Sequence, residues 1–138
     1  MKEDKLNKII TSGKRKTAIA KAILTEGKGK ITINNKNYKE LHLFDKLRIE
    51  EPLKIAEKIL GDINFDVFIT VKGGGEKGQI DAARLALAKA IVKFSNSKEL
   101  TNSYLTYDRS LLVADVRRKE TNKPGDSKAR AKRQSSKR

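Results

Sequence analysis

A two-layer α+β domain, a β-sheet with helices on one face, is the fold the sequence predicts, and three observations predict it. Segments of period 2 are interspersed with segments of period 3.6. Glycines and turn formers fall mostly between these segments rather than within them. The chain has 138 residues, 37% of them hydrophobic, which suits one small core.

Residues 1–13 read as a polar lead-in with an apolar patch at Leu6 and Ile9-Ile10. Over 16–24, Thr17, Ile19, Lys21 and Ile23 alternate with Ala18, Ala20, Ala22 and Leu24, the pattern of a first strand. Glu26-Gly27-Lys28-Gly29 turns the chain, and Lys30-Ile31-Thr32-Ile33 returns as a second strand, a hairpin closed by Asn34-Asn35. Glu50-Glu51-Pro52 opens a helix, because acids meet the positive end of its dipole and proline gives up no donor at the first position. Leu53, Ala56, Ile59 and Leu60 form its stripe, and Gly61 ends it. Phe65, Val67, Ile69 and Val71 alternate with Asp66, Phe68, Thr70 and Lys72 in the clearest strand. Ile80, Ala83, Leu87, Ala90, Ile91 and Phe94 mark a long helix ending near Ser95-Asn96, and a shorter one follows over 98–105. Leu111 to Val116 reads as a last strand. The order is ββαβα(α)β.

The charge is uneven. Thirty-two Lys and Arg face 17 Asp and Glu, a net of +15, and residues 117–138 hold ten basic and two acidic side chains. Such a chain repels itself unless it meets a polyanion, and dense phosphates relieve the repulsion while releasing counterions. No apolar run exceeds four residues, against the roughly 20 a membrane span needs. Neither a signal peptide nor an amphipathic basic helix is seen, so nucleic acid is the expected partner and a membrane is not. Without cysteine there is no disulfide, thiol nucleophile or thiolate metal site, and a reducing compartment is the simplest home. Residues 117–138 lack aromatics and cannot bury enough apolar area to offset their ordering entropy. They read as a solubilising tail or as an arm that orders on RNA. The division is thus a lead-in at 1–13, a globular domain at 14–116 and a tail at 117–138.

Gly73-Gly74-Gly75-Glu76-Lys77-Gly78 satisfies G-x-G-x-x-G, with Glu99 further on. A dinucleotide site would place that acid after a second parallel strand, and no β-rich run precedes Glu99. A P-loop would need Lys where Gln79 stands. The glycines still offer bare N–H groups near a helix start, suited to RNA phosphates, or serve as a sharp turn. His42 is the sole histidine, and Ser and Thr lack an evident base partner, so nothing asks for an enzyme. No metal set and no cofactor are expected.

Lys14, Arg15 and Lys16 put three cations at the entry to the first strand, with Lys21 further along it. These either guard an edge strand or contact RNA. Together with Gly13 to Ala20, the run from Gly73 to Ala90, the stretch from Asp108 to Glu120 and the terminal Ser136-Lys137-Arg138, they resemble the universal ninth protein family of the small ribosomal subunit, in its archaeal and eukaryotic branch. The resemblance covers residues 12–138. Lys137 departs from that branch, which usually carries an aromatic there.

The resemblance implies a fold like the C-terminal domain of the fifth small-subunit protein, and a cytoplasmic place in the subunit's head among neighbouring ribosomal proteins, as a single copy. It implies rRNA contacts at Lys14, Arg15, Lys16, Lys21, Gly74, Gly75, Gly78, Gln79, Arg117, Arg118, Lys119, Lys123, Lys128, Arg130, Lys132 and Arg133. It also implies a tail reaching the anticodon stem-loop of peptidyl-site tRNA through Ser136, Lys137 and Arg138.

Overall fold

The computed structural model describes residues 7–137. Residues 1–6 of the expected lead-in and Arg138 at the tail tip lie outside the described residues. Five strands form one mixed sheet: β1 (Ile9–Arg15), β2 (Ala18–Glu26), β3 (Ile31–Ile33), β4 (Lys36–Asn37) and β5 (Phe65–Lys72). Their spatial order is β1-β2-β5-β3-β4, with β3 and β5 parallel and the other neighbours antiparallel. Three helices accompany it, α1 (Leu43–Leu60), α2 (Glu76–Ser95) and α3 (Lys98–Tyr107). None is long and apolar enough to cross a membrane.

The α+β class and the alternating strands hold, but four elements differ from expectation. The first strand begins at Ile9, within the expected lead-in. The hairpin is β1–β2 around Lys16-Thr17, with Arg15 opposite Ala18 and Lys16 at φ 54°. The one expected hairpin, β2 with β3, does not form, because β5 lies between them. Asp66 explains this: its Oδ1 accepts from Lys28 N (2.9 Å) and Lys30 N (2.8 Å), so the Gly27–Gly29 loop wraps around β5 instead of turning back. Gly27 lets this carboxylate come close, since a Cβ would lie 2.2 Å from the Asp66 carboxyl carbon and push it aside. Asn34 and Asn35, at φ 49° and 66°, make the two-residue turn into β4.

The first helix starts at Leu43, not at Glu50, and Pro52 lies inside it, buried. Its missing N–H leaves the Arg48 carbonyl without its helical donor. Glu50 and Glu51 are mid-helix residues: Glu50 pairs with Lys46 and Lys54, and Glu51 with Arg84. His42 stands exposed at the N-cap without a capping side-chain bond. The expected last strand over 111–116 is instead a short 3-10 turn, Arg109–Leu111, followed by irregular chain. Asp108 Oδ1 accepts from Ser110 N (2.9 Å) and fixes that turn, so Leu111 is buried in the core, Leu112 packs against it half-buried, and Val116 is left in solvent.

The core fills the space between one sheet face and the helices. Ala18, Ala20, Ala22 and Leu24 of β2 and Phe65, Val67, Ile69 and Val71 of β5 turn toward Ala82, Ala83, Ala86, Leu87 and Ala90 of α2. Small residues on both sides let the helix settle close to the sheet. It lies close against Gly13 of β1, and Thr11 Oγ1 donates to the Ala86 carbonyl beside it (2.8 Å). α1 packs against α2 and α3 against α1, the last two joined by the buried Tyr104 hydroxyl donating to the Pro52 carbonyl (2.7 Å).

Candidate nucleic-acid interface

Three segments distant in sequence meet at one corner of the molecule. The first is the β1–β2 turn at Lys16-Thr17. The second is the glycine loop, whose Gly73 and Gly74 adopt φ 76° and 67°. A Cβ on Gly73 would lie 2.8 Å from the Thr17 carbonyl oxygen, and one on Gly74 2.9 Å from Ala18 N, so the loop lies directly against the turn. Gly78, in the first turn of α2, comes near the Arg15 carbonyl, while Gly75 at the N-cap faces open space. Gln79 Nε2 donates to the Gly73 carbonyl (3.1 Å) and closes the loop on itself. The glycines therefore do serve as a sharp turn, and the same turn exposes the start of α2. The third segment is the tail root, where the Arg118 guanidinium donates to the Lys16 carbonyl.

The run Lys14-Arg15-Lys16 divides between three environments, because β-period alternation sends neighbours to opposite faces. Lys14 shares the exposed sheet face with Lys21, and Lys16 is exposed in the turn. Arg15 points to the helix side, where Nη1 lies 3.0 Å from an Asp115 oxygen and Nε 3.8 Å from Asp81. Arg15 is thus engaged within the protein. It lines a cleft of about 410 Å³ with Arg48, Glu51, Asp81, Arg84 and Asp108. In that cleft Arg48 pairs with Asp81, and Arg84 pairs with Glu51 and with Asp108 (3.2 Å). Burial pushes the Asp108 carboxyl up, but hydrogen bonds from Ser110 and Arg84 outweigh it and hold the group below the ordinary value.

Asp115 joins this cleft to the tail. It accepts from the Arg117 backbone (2.9 Å) and from its guanidinium (2.8 Å) while facing Arg15. The Arg117 side-chain bonds pull its carboxyl down from 3.8 to about 2, helped by the nearby Arg15 charge. Beyond, Arg130 pairs with Glu120 (2.6 Å), and Arg133 Nε donates to the Gly125 carbonyl (2.9 Å). Lys119, Lys123, Lys128, Lys132, Ser136 and Lys137 are exposed.

The corner therefore gathers Lys14, Lys16, the Gly73–Gly78 segment, Gln79 and Arg118 in one place, with Lys21 further along the sheet. Arg117 of the tail lines the neighbouring cleft together with Lys14. Two neighbours went unnoticed in the sequence. Lys72 is exposed opposite Ile19, at the edge of the glycine loop. Phe68 is exposed two positions before Thr70 on the same strand face. Their alternation with buried residues was the available signal.

A model of the family described as ribosomal protein S9/S16 matches residues 13–138. The chain is similar to small ribosomal subunit protein uS9 of Thermoplasma volcanium, with 52% identity over 130 residues covering 93% of this chain and 96% of that protein. It is likewise similar to small ribosomal subunit protein uS9 of Methanococcus vannielii, with 50% identity over 129 residues covering 91% and 95%.

Proposed function

Since the chain belongs to the ribosomal protein S9/S16 family, we propose that it grips rRNA of the small-subunit head with this corner and its tail, and that the tail tip reaches peptidyl-site tRNA. It is a structural component of the small ribosomal subunit in the cytoplasm and not an enzyme. It works there as a single copy beside other head proteins, on no membrane.

One observation carries the rRNA reading. The hairpin turn, the glycine loop and the tail root converge, although residues 16, 73 and 118 are far apart in sequence. Phosphate oxygens there would meet the Lys14, Lys16 and Lys72 ammonium groups and the unpaired N–H groups that begin α2. The globular part over 14–116 anchors the chain, and the tail over 117–138 extends from it. In the tail Arg117, Arg118, Lys119, Lys123, Lys128, Arg130, Lys132 and Arg133 offer charge without aromatics, suited to backbone phosphates rather than to bases. Ser136, Lys137 and Arg138 are the groups for the tRNA anticodon stem-loop.

Titration of a head-domain rRNA transcript with a Lys14→Gln, Lys16→Gln, Lys72→Gln variant tests the corner. The log–log salt slope is expected to become shallower by about 2, at roughly 0.7 per lost contact. An unchanged slope and affinity would remove the corner from the interface. For the tail tip, subunits whose protein lacks Lys137 and Arg138 are expected to assemble normally yet release peptidyl-site tRNA faster. Equal tRNA retention would contradict that role.

A further inference from the structure

The sheet face turned away from the helices carries a pattern of which the corner uses only the last row. Strand register sets its side chains in rows. Ile10, Ile23, Phe68 and Thr32 form one row, Ser12, Lys21 and Thr70 the next, and Lys14, Ile19 and Lys72 the last. The last row borders the glycine loop and the hairpin turn. Phe68 sits on β5, the central strand, and is 45% exposed; Ile10 and Ile19 are each 53% exposed. Lys14, Lys21 and Lys72 are exposed as well. The acid within these strands that shares the face, Asp66, already accepts from Lys28 N and Lys30 N.

We propose that this face is a stacking platform for an unpaired stretch of RNA, with a base lying on the Phe68 ring and adjacent phosphates on Lys21 and then on Lys14 and Lys72. The proposal rests on the reading that the neighbouring corner binds RNA, and gives that RNA a path across the sheet. Lys21 is diagonal to Phe68 across the β2–β5 pair, a separation of about 7–8 Å that long side chains bridge. A nucleotide supplies both things the rows ask for, a π face for the ring and negative charge for the lysines. An apolar protein segment would suit the Phe68 row, but it would strip water from three lysines without offering them a partner.

The chain has no tryptophan, so Phe68→Trp places a single tryptophan, excited selectively over the three tyrosines, at the proposed stack. The full-length variant is titrated with a short single-stranded oligoadenylate, while anisotropy of the labelled oligonucleotide reports binding independently. Saturable quenching of the tryptophan is expected, with its midpoint raised about threefold or more when Lys21→Gln is added. Binding seen by anisotropy with unmoved emission would overturn the platform and leave the corner and tail reading intact. Emission that moves only when a neighbouring ribosomal protein is added would overturn it in favour of a protein interface. No binding to either the oligonucleotide or a head-domain rRNA transcript would defeat both. Phe68→Tyr, with Lys21 intact, is expected to retain wild-type affinity for the oligonucleotide, and Phe68→Leu to lose part of it. Equal affinities for the two would also overturn stacking.

Discussion

Gly13 is the residue on which the packing of helix against sheet turns. A Cβ there would stand 2.2 Å from the Ala82 carbonyl oxygen and 2.7 Å from Ala86 N, both backbone atoms of α2 that cannot rotate aside. Replacing glycine by alanine usually helps a protein slightly by restricting the unfolded chain. Here the helix would have to lift, and Gly13→Ala is expected to destabilise by about 1–3 kcal/mol, read as a lower urea midpoint. A midpoint at or above the wild-type value would refute the close approach. Asp115 makes a different kind of prediction. Its folded carboxyl titrates at about 2 against an ordinary 3.8, chiefly because Arg117 donates to it. A depressed folded value means that the contribution is complete above the unfolded value and disappears as pH falls through the folded one. The Arg15–Asp115–Arg117 contact should therefore be intact at pH 5 and open only near pH 2. Carboxyl-carbon NMR of Asp115 checks it, and a midpoint near 4 would mean that the contact does not hold in solution.

At the scale of elements, what joins α1, α2 and the Arg109–Leu111 turn is Arg84, with only 12% of its side chain exposed. Glu51, Asp108 and Ser110 come to it from two other parts of the chain. Arg84→Ala leaves two carboxylates without their cation, and a loss of about 1–3 kcal/mol is expected, less than for a fully buried pair because both acids are partly exposed. A coupling of at least about 0.5 kcal/mol between Arg84 and Asp108 in a double-mutant cycle would locate that loss in the pair. None of this network was legible in the sequence, since charged partners 24 to 33 residues apart leave no periodic trace. The alternating residues of β5 and the stripe of α2 were legible, because each buries one continuous face. Pro52 misled, because a proline preceded by two acids imitates a helix start. The true start carries Leu43, Phe44 and Leu47 in solvent, where a search for a buried stripe passes over them. The β2–β3 hairpin misled for a related reason: local turn residues say nothing of a third strand that Asp66 draws between the two. At the candidate interface the motifs and the outward alternation of Phe68 and Lys72 could be read, but not that Arg15, just ahead of the expected first strand, would turn inward.

For the whole molecule the decisive quantity is how its charge divides between a folded anchor and the tail. The chain carries +15 in all, and the tail holds ten of the cations, yet the two populations differ physically. Several cations of the globular part are committed to carboxylates: Arg15, Arg48 and Arg84 to the cleft, and Lys77 to the buried Asp45 at 2.7 Å. Among the described residues of the tail, Arg117 pairs with Asp115 and Arg130 with Glu120, and the other cations have no carboxylate partner. If those two pairs persist on RNA and Lys137 and Arg138 serve tRNA, six tail cations remain for rRNA phosphates, and at about −0.7 per contact they contribute up to roughly −4 to the log–log salt slope. Deleting residues 117–138 should therefore leave the far-ultraviolet circular dichroism of the sheet and helices in place. It should also flatten the salt dependence of binding to a head-domain transcript by several units. A reduction beyond about 4 would mean that Arg117 and Arg130 exchange their carboxylates for phosphate, or that the tail tip binds this RNA too. A slope unchanged by the deletion would mean that the tail's charge faces solvent even when the protein is bound, and that the corner alone holds the RNA.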